Sequence, residues 1–487
     1  MLSITSLVYF IILTLYVLLI ITVIIKIVMD NKTPAKSLGY LLIVVLIPVA
    51  GVIIYLFFGL NFRKKKLYTK KIEQDEAMFS ATKQQKVLDS ESFLKKNKDL
   101  LKGKEPIVKF LLNKVLSPLY PVEKIKLLIN GNEKFEMLLA ELEQAKNHIH
   151  LEYYIYEDDV IGNRIKDILI RKIKEGVRVR FIYDAFGSHA IKKQLEKELQ
   201  EAGIEIYPFY SIKFFLLSNR IYYRNHRKII VIDGNIGFVG GINVGDRYLN
   251  NGKPKELFWR DTHLMMMGGA VAGLQSTFIA DWNFCSGSKL KITKELFPHM
   301  KDCQYDALVQ IAVSGPDSPI ANIMFSYFAA INSALEKLYI TTPYFIPNES
   351  ILDAIKRSAL SGVDVRLLVP GEGDSKFVNA ASCSYYEELL STGVRIFRYQ
   401  KGFVHAKTIT VDDNLSIIGT ANMDIRSFHL NFEVNAMVYD KRLNQELNTA
   451  FINDIKQSKE LKLDVWSKRN QLKKFGDASA RLVSSLL

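Results

Sequence analysis

Two long apolar runs open the chain, and no later stretch is like them. Residues 4–28 are almost unbroken Ile, Leu, Val, Tyr and Thr, with one Lys near the end. A helix needs about 20 apolar residues to cross the hydrocarbon core of a bilayer, so this run predicts a first span. After the polar loop DNKTPAKS, a second run at 38–60 predicts another, with Pro48, Gly51 and Gly59 inside it. Membrane helices tolerate such residues better than soluble ones do. A cleavable signal fits poorly, because no charged segment precedes the first run and no small-residue cleavage site follows it. The expectation is a transmembrane hairpin over residues 1–60.

Residues 61–120 are rich in Lys, Glu, Gln and Ser and lack strand-like runs. They read as a basic juxtamembrane linker. Within it, PIVKFLLNKVL (106–116) separates apolar and basic residues onto two helical faces, with Pro106 suited to the first turn. Such a stripe either packs on its own domain, which is the expectation here, or lies on a membrane surface. From about 121 the texture changes. KNHIHLEYYIY reads as a strand, IGNRIKDILIRKIKEG as a helix and VRVRFIYD as a strand. This alternation predicts an α/β fold around a largely buried sheet.

The same order then returns as LEKLYITTPYFIP, NESILDAIKRSALSG and VDVRLLVP. Gly176 and Gly362 close the two helices, a shift of 362 − 176 = 186, and Gly203 and Gly393 precede matching strands, a shift of 393 − 203 = 190. Shifts this similar predict a tandem duplication, with one repeat at 121–300 and the other at 301–487. Only the first repeat carries SIKFFLLSNRIYYR (211–224), an apolar insertion that either packs or touches lipid.

Charge narrows the partners. The 487 residues hold 65 Lys and Arg against 51 Asp and Glu, a formal net charge of +14. That favours an anionic partner, either nucleic acid or an acidic lipid surface. The apolar hairpin points to lipid and argues against nucleic acid. Directly after the second run comes NFRKKKLYTKK, with Arg63, Lys64, Lys65, Lys66, Lys70 and Lys71. By the positive-inside rule this flank is cytoplasmic. The expected protein is therefore a multi-pass component of the cytoplasmic membrane, with its body on the cytoplasmic side and its lysines among acidic headgroups. Cys285, Cys303 and Cys383 lie too far apart in the chain for a metal cluster or a disulfide framework.

One motif occurs twice. NHRKIIVIDG places His226, Lys228 and Asp233 at the spacing of His405, Lys407 and Asp412 in VHAKTITVDD. A single H-x-K-x4-D is weak, since about a tenth of a match is expected by chance. Two copies at corresponding places in a duplicated unit are much stronger. Both continue alike, into Gly240–Asn243 (GGIN) and Gly419–Asn422 (GTAN). In each copy His and Lys are two apart at the start of a strand and share a face. The Gly turn lets backbone approach a ligand, and Asn243 or Asn422 adds an amide. Two such units offer two His, two Lys and two Asn around one point, a set suited to a phosphodiester. The lysines and amides would hold the non-bridging oxygens and stabilise the extra charge of a five-coordinate transition state. One His would attack phosphorus while the other, protonated, donates to the leaving oxygen.

These residues resemble the paired motifs of the phospholipase D superfamily. The chain as a whole is similar to bacterial cardiolipin synthases, through PVAGVIIYLFFG, HIHLEYYIY, YRNHRKIIVIDG, FWRDTH, TTPYFIP, VHAKTITVDD, GTANMDIRSFHLNFEVN and ASARLVSSLL. The resemblance implies two tandem α/β/α sandwich domains forming one pseudo-two-fold body. It also implies a metal-independent, cofactor-free transfer through a phosphatidyl-histidine. Phosphatidylglycerol is both donor and acceptor, and cardiolipin and glycerol are the products. The His/Lys/Asp sets form the catalytic signature, with Lys228, Lys407, Asn243 and Asn422 binding phosphate. Asp233 and Asp412 brace the turn rather than join the chemistry. An acid downstream of each motif orients its His, which here means Asp261 and Glu433. Many members attack with the first motif, which favours His226 as nucleophile and His405 as acid/base. One departure is Gly241, where many members carry Ser and the second copy has Thr420.

His148, His150 and Glu152 alternate on one strand face, readable as a metal site or, preferably, as a polar strand face with Glu152 at the pocket border. Arg224 and Arg227 are either headgroup contacts or surface residues. Asp424, Arg426 and Ser427 shape either the pocket or its loop. The competing function classes are a hydrolytic lipid phosphodiesterase or nuclease with the same machinery, and a non-catalytic lipid scaffold.

Overall fold

The order of strands across the sheet is the same in both repeats. The computed structural model describes residues 4–29, 34–55, 71, 85–191, 193–210, 223–252, 257–298 and 305–484. In the first repeat the order from the outer edge is Glu205–Pro208, Arg178–Tyr183, His148–Tyr153, Lys228–Ile232, Ile236–Gly240, Thr262–Gly268 and Tyr120–Ile129. In the second it is Arg395–Tyr399, Asp364–Pro370, Lys337–Thr341, Thr408–Val411, Leu415–Gly419, Asn431–Tyr439 and Ala307–Ser314. The short strand Ser458–Glu460 is added outside the second set.

The two innermost strands meet. Tyr120–Ile129 runs antiparallel to Ala307–Ser314, with Tyr120 opposite Val309 and Val122 opposite Ala307. Seven strands in matching order on each side of an antiparallel seam make one continuous sheet with a pseudo-two-fold axis at the seam. The three outer strands of each repeat are parallel, which requires the crossover helices that the hydrophobic pattern anticipates. Val160–Lys174 and Glu349–Leu360 supply them, capped at the N-terminus by the side chains of Asp159 and Asn348. Each repeat has its own aliphatic core, and a third cluster, including Val122, Val231, Val309 and Val434, fills the seam.

Residues 105–116 keep their expected helical character as Glu105–Phe110 continued by a wider turn over Leu111–Val115. Ile107, Val108 and Leu111 are buried in the core of the second repeat, so the stripe packs on its own domain. The insertion at 211–222 lies outside the described residues, as do Arg63, Lys64, Lys65, Lys66 and Lys70. Lys71 faces protein rather than headgroups, pairing with Asp317 at 2.9 Å.

The N-terminal expectation is met in its first half and altered in its second. Ile4–Met29 is one helix of 26 residues with a stretch of mean hydropathy 3.0. At about 1.5 Å per residue it exceeds the ~30 Å hydrocarbon core. Among the described residues it is the only helix of that length and apolarity. The straight second span expected over 38–60 is broken into Pro34–Leu46 and Pro48–Ile54. At roughly 20 and 10 Å, neither reaches across by itself. Pro48 is the cause: it lacks an N–H, and its ring drives Ile47 out of the helical region, to φ −135° and ψ 72°. Gly51 permits the sharp fold-back, because a Cβ there would lie 2.5 Å from Val44 Cα.

The motif aspartates are placed by the fold, not by the chemistry. Asp233 and Asp412 both adopt left-handed φ, 52° and 51°. Asp233 accepts the backbone N–H groups of Lys146, Asn147 and His148 at 2.7–2.9 Å. Asp412 accepts those of Leu335, Glu336 and Lys337, and also the Lys104 ammonium at 2.8 Å. Each carboxylate thus clamps the start of the neighbouring strand to the end of its own. Five residues, Lys228–Ile232, separate Asp233 from the His226 end of the motif, roughly 16 Å of extended chain. Both aspartates thus hold backbone at the far end of the motif strand from its histidine. Replacing Asp412 by Ala strips three amides and a buried ammonium of their acceptor. It should cost about 2–4 kcal/mol in denaturant unfolding of the detergent-solubilised protein, while the folded fraction keeps its turnover.

Candidate active site

Each motif histidine enters the site from a short ladder that crosses between repeats. Arg224 and Asn225, just before His226, pair in parallel with Asn431 and Phe432 of the second repeat. The His226 N–H then donates to Phe432 O at 2.9 Å. Gly402–Val404, just before His405, pairs in parallel with Phe258–Arg260 of the first repeat, and the His405 N–H donates to Arg260 O at 2.7 Å. The residue after each of these acceptors is the acid: Asp261 follows Arg260, and Glu433 follows Phe432.

The acids consequently serve the opposite repeat. His226 Nδ1 lies 3.0 Å from Glu433 Oε2, and His405 Nδ1 lies 2.7 Å from Asp261 Oδ2. The expectation that each acid orients the histidine of its own motif is corrected to a crossed arrangement. Glu433 is fully buried and is also held by the Thr420 hydroxyl and, at 3.3 Å, by the Asn431 amide. Asp261 instead takes the Thr262 N–H at 2.7 Å. Its shorter side chain occupies the room a side chain at position 241 would need. A Cβ on Gly241 would stand 2.1 Å from Asp261 Oδ1, which explains why Thr420 has Gly241 as its counterpart.

Burial sets the protonation states. Burial pushes His226 below its usual value, with Lys228 and Lys407 adding to the effect and Glu433 opposing it. His405 is lowered to about 3, by burial first and then by Lys407. Burial would raise Glu433, but His226, Lys228 and Thr420 outweigh it and bring it to about 2. Neutral imidazoles beside carboxylates donate from Nδ1, so each Nε2 keeps its lone pair free. Lys228 is lowered to about 7 and Lys407 to about 8, both by burial. Each lysine donates to the carbonyl of its own histidine, Lys228 at 2.7 Å. Neither lies on the cavity wall, and each lowers the histidine of the other repeat.

Both histidines open into one cavity of about 460 Å³. Asn243 and Asn422 also line it. Asn243 is engaged, accepting from Ile155 N at 3.2 Å and donating to the Tyr248 hydroxyl at 2.7 Å. The side-chain carbonyl of Asn422 has no hydrogen-bond partner among the described residues.

Comparison with known proteins gives the family of the chain. The model of the family described as cardiolipin synthase, PLD-like domain, matches residues 138–282 and 327–455, one segment in each repeat. The chain belongs to that family. A second model, described as phospholipase D-nuclease N-terminal, matches residues 15–59. Cardiolipin synthase 2 of Bacillus anthracis is 45% identical over 463 residues, covering 94% of this chain and 88% of the relative. Cardiolipin synthase of Geobacillus sp. (strain WCH70) is 43% identical over 460 residues, covering 94% and 90%. The crystal structure of a phosphatidylserine synthase from Haemophilus influenzae Rd KW20 shares the fold, with a TM-score of 0.57 at 17% identity over 78% of this chain and 96% of that one.

Around the cardiolipin synthase motifs, the structure sorts the remaining candidates. Arg224, Asp424 and Arg426 line the cavity. Ser427 does not; its hydroxyl accepts the Asn422 N–H at 3.1 Å. Arg227 points away and is buried on Asp281. Glu152 is not at the border either, but accepts from the Asn225 amide at 2.6 Å behind His226. His148 and His150 are buried against Gln275, at 3.3 and 3.0 Å. Tyr154, Tyr344 and Trp259 are wall residues that motif reasoning passed over. Tyr154 stands edge-on to His226 at 4.9 Å and Trp259 to His405 at 5.5 Å. A signal was present, since Tyr154 and Tyr344 are related by 344 − 154 = 190, the shift of the duplication.

Lys228 and Lys407, brought to about 7 and about 8, carry charge below those values. Anion binding should therefore weaken as pH rises through this range. Tungstate, whose charge is constant here, should lose about tenfold in affinity per pH unit above 8 for each lysine proton. Calorimetric titration of the solubilised protein checks this, and a flat profile contradicts it.

Proposed function

We propose that this protein transfers a phosphatidyl group from one phosphatidylglycerol to another, giving cardiolipin and glycerol through a phosphatidyl-histidine. The supporting observation is the crossed site: one histidine from each repeat faces a single cavity, each with Nδ1 held by a buried carboxylate. With Nδ1 donating, Nε2 of His226 is the atom that attacks the donor phosphorus. The N–P bond forms, the bond from phosphorus to the glycerol oxygen breaks, and that oxygen takes the Nε2 proton of His405, whose imidazolium form the anionic phosphate entering the cavity favours. His405 then takes the proton from a hydroxyl of the second phosphatidylglycerol. That oxygen attacks phosphorus, and the N–P bond breaks to release cardiolipin. Lys228 and Lys407 stabilise the charge on the five-coordinate phosphorus. The unpartnered Asn422 carbonyl is suited to a substrate hydroxyl.

The catalytic body faces the cytoplasm in this proposal, and the bent second apolar segment lies between the N-terminal helix and a basic flank. Its support is the lysine-rich flank that follows that segment. The histidines and lysines supply nucleophile, acid and countercharge, so the proposal calls on no metal.

Purified protein given labelled phosphatidylglycerol should yield cardiolipin and glycerol; phosphatidic acid as the main product would indicate hydrolysis instead. His226→Ala and His405→Ala should each abolish turnover. Lys228→Ala or Lys407→Ala should cost on the order of 10²–10³ in rate. Acid quench with phosphate-labelled donor should trap label on His226, and label on His405 would reverse the assignment. A chelator should leave the rate unchanged.

A further inference from the structure

The C-terminal helix Gln471–Ser484 is packed inside out. Its large apolar side chains face solvent: Leu472 is 81% exposed, Phe475 73%, Leu482 74% and Val483 49%. At 100° per residue these four positions fall on one face. The opposite face, carrying Asp477, Ala480 and Ser484, is the buried one. It packs along the helix Lys376–Cys383 and is fixed by polar contacts, with Arg469 on Asp477 at 2.7 Å and Lys474 on Glu387 at 3.0 Å. A soluble surface helix has the reverse arrangement, so a second apolar phase must cover this face.

We infer that the exposed face of this helix is a docking surface for an anionic phospholipid bilayer, which sets the mouth of the catalytic cavity against the lipid that feeds it. Two observations select lipid as the occupant. The helix ends at the cavity, where Ser484 joins Phe377 of the neighbouring helix in the wall. Charge is the second. The helix carries Lys473, Lys474 and Arg481 against one acid, Asp477, which is buried on Arg469; Lys474 and Arg481 pair with Glu387 and Glu388, and Lys473, Lys376 and Lys468 stay exposed as the excess charge. A helix with an apolar face and basic flanks lies in the headgroup layer, with its apolar side chains about 5–10 Å deep. The cavity argument rests on the lipid substrate proposed above; the inverted helix does not.

Full-length Phe475→Trp protein in proteoliposomes of phosphatidylglycerol and phosphatidylcholine provides the test. The emission gained over wild type should be blue-shifted and quenched about twofold by lipids brominated on their acyl chains. This readout needs no turnover, so it separates the docking surface from the proposed reaction. Quenching by aqueous iodide alone would overturn the inference. Blue-shifted emission that brominated lipid does not quench would place the face against protein, a second copy included, and would also overturn it. The variant Leu472→Ser/Phe475→Ser/Leu482→Ser should lose about tenfold in rate on bilayer substrate and keep its rate on short-chain monomeric phosphatidylglycerol. Equal loss on both would assign the face to folding instead.

Discussion

Two short parallel ladders that cross the seam hold the active site together. One joins Arg224–Asn225 to Asn431–Phe432, and the other joins Gly402–Val404 to Phe258–Arg260. Each delivers a histidine of one repeat to a carboxylate of the other. Burying an ionised carboxylate is costly unless it is paired and hydrogen-bonded, and here the partner is the motif histidine of the other repeat. Each acid also takes hydrogen bonds from its own repeat, but only the opposite repeat supplies its histidine.

The two ends of each motif strand divide the labour. At one end stand the histidine and lysine, buried and shifted toward their neutral forms. At the other, Asp233 or Asp412 ties its strand to the backbone of the next. The motif reads as a single chemical signature, yet of its three residues only the histidine lines the cavity. Its aspartates anchor the strand to which the histidine is attached, so a rigid position at one end follows from a clamp at the other.

The near-symmetry is broken where the acids differ. Glu433 reaches its histidine with the Thr420 hydroxyl beside it, whereas Asp261 fills the space above Gly241 and takes a backbone amide. The histidines therefore sit in related but unequal surroundings, with His405 held at a low value of about 3. Unequal surroundings allow two chemically identical side chains to take different roles in one transfer.

Local periodicities already determined much of this protein. The alternation of strand and helix, the shift of about 186–190 residues between repeats, the paired His and Lys, and the first apolar helix depend on neighbours within a few residues, so they were legible in the chain. Family resemblance added Asp261 and Glu433 as acids. Which histidine each acid serves was decided by register across the seam, between positions about 144 and 207 residues apart, which no local pattern encodes. Tertiary packing likewise decided that Pro48 and Gly51 bend the second apolar run, and that the last helix buries its polar face. The hydrophobic pattern of that helix names two faces, but only the packed neighbour shows which one is left outside.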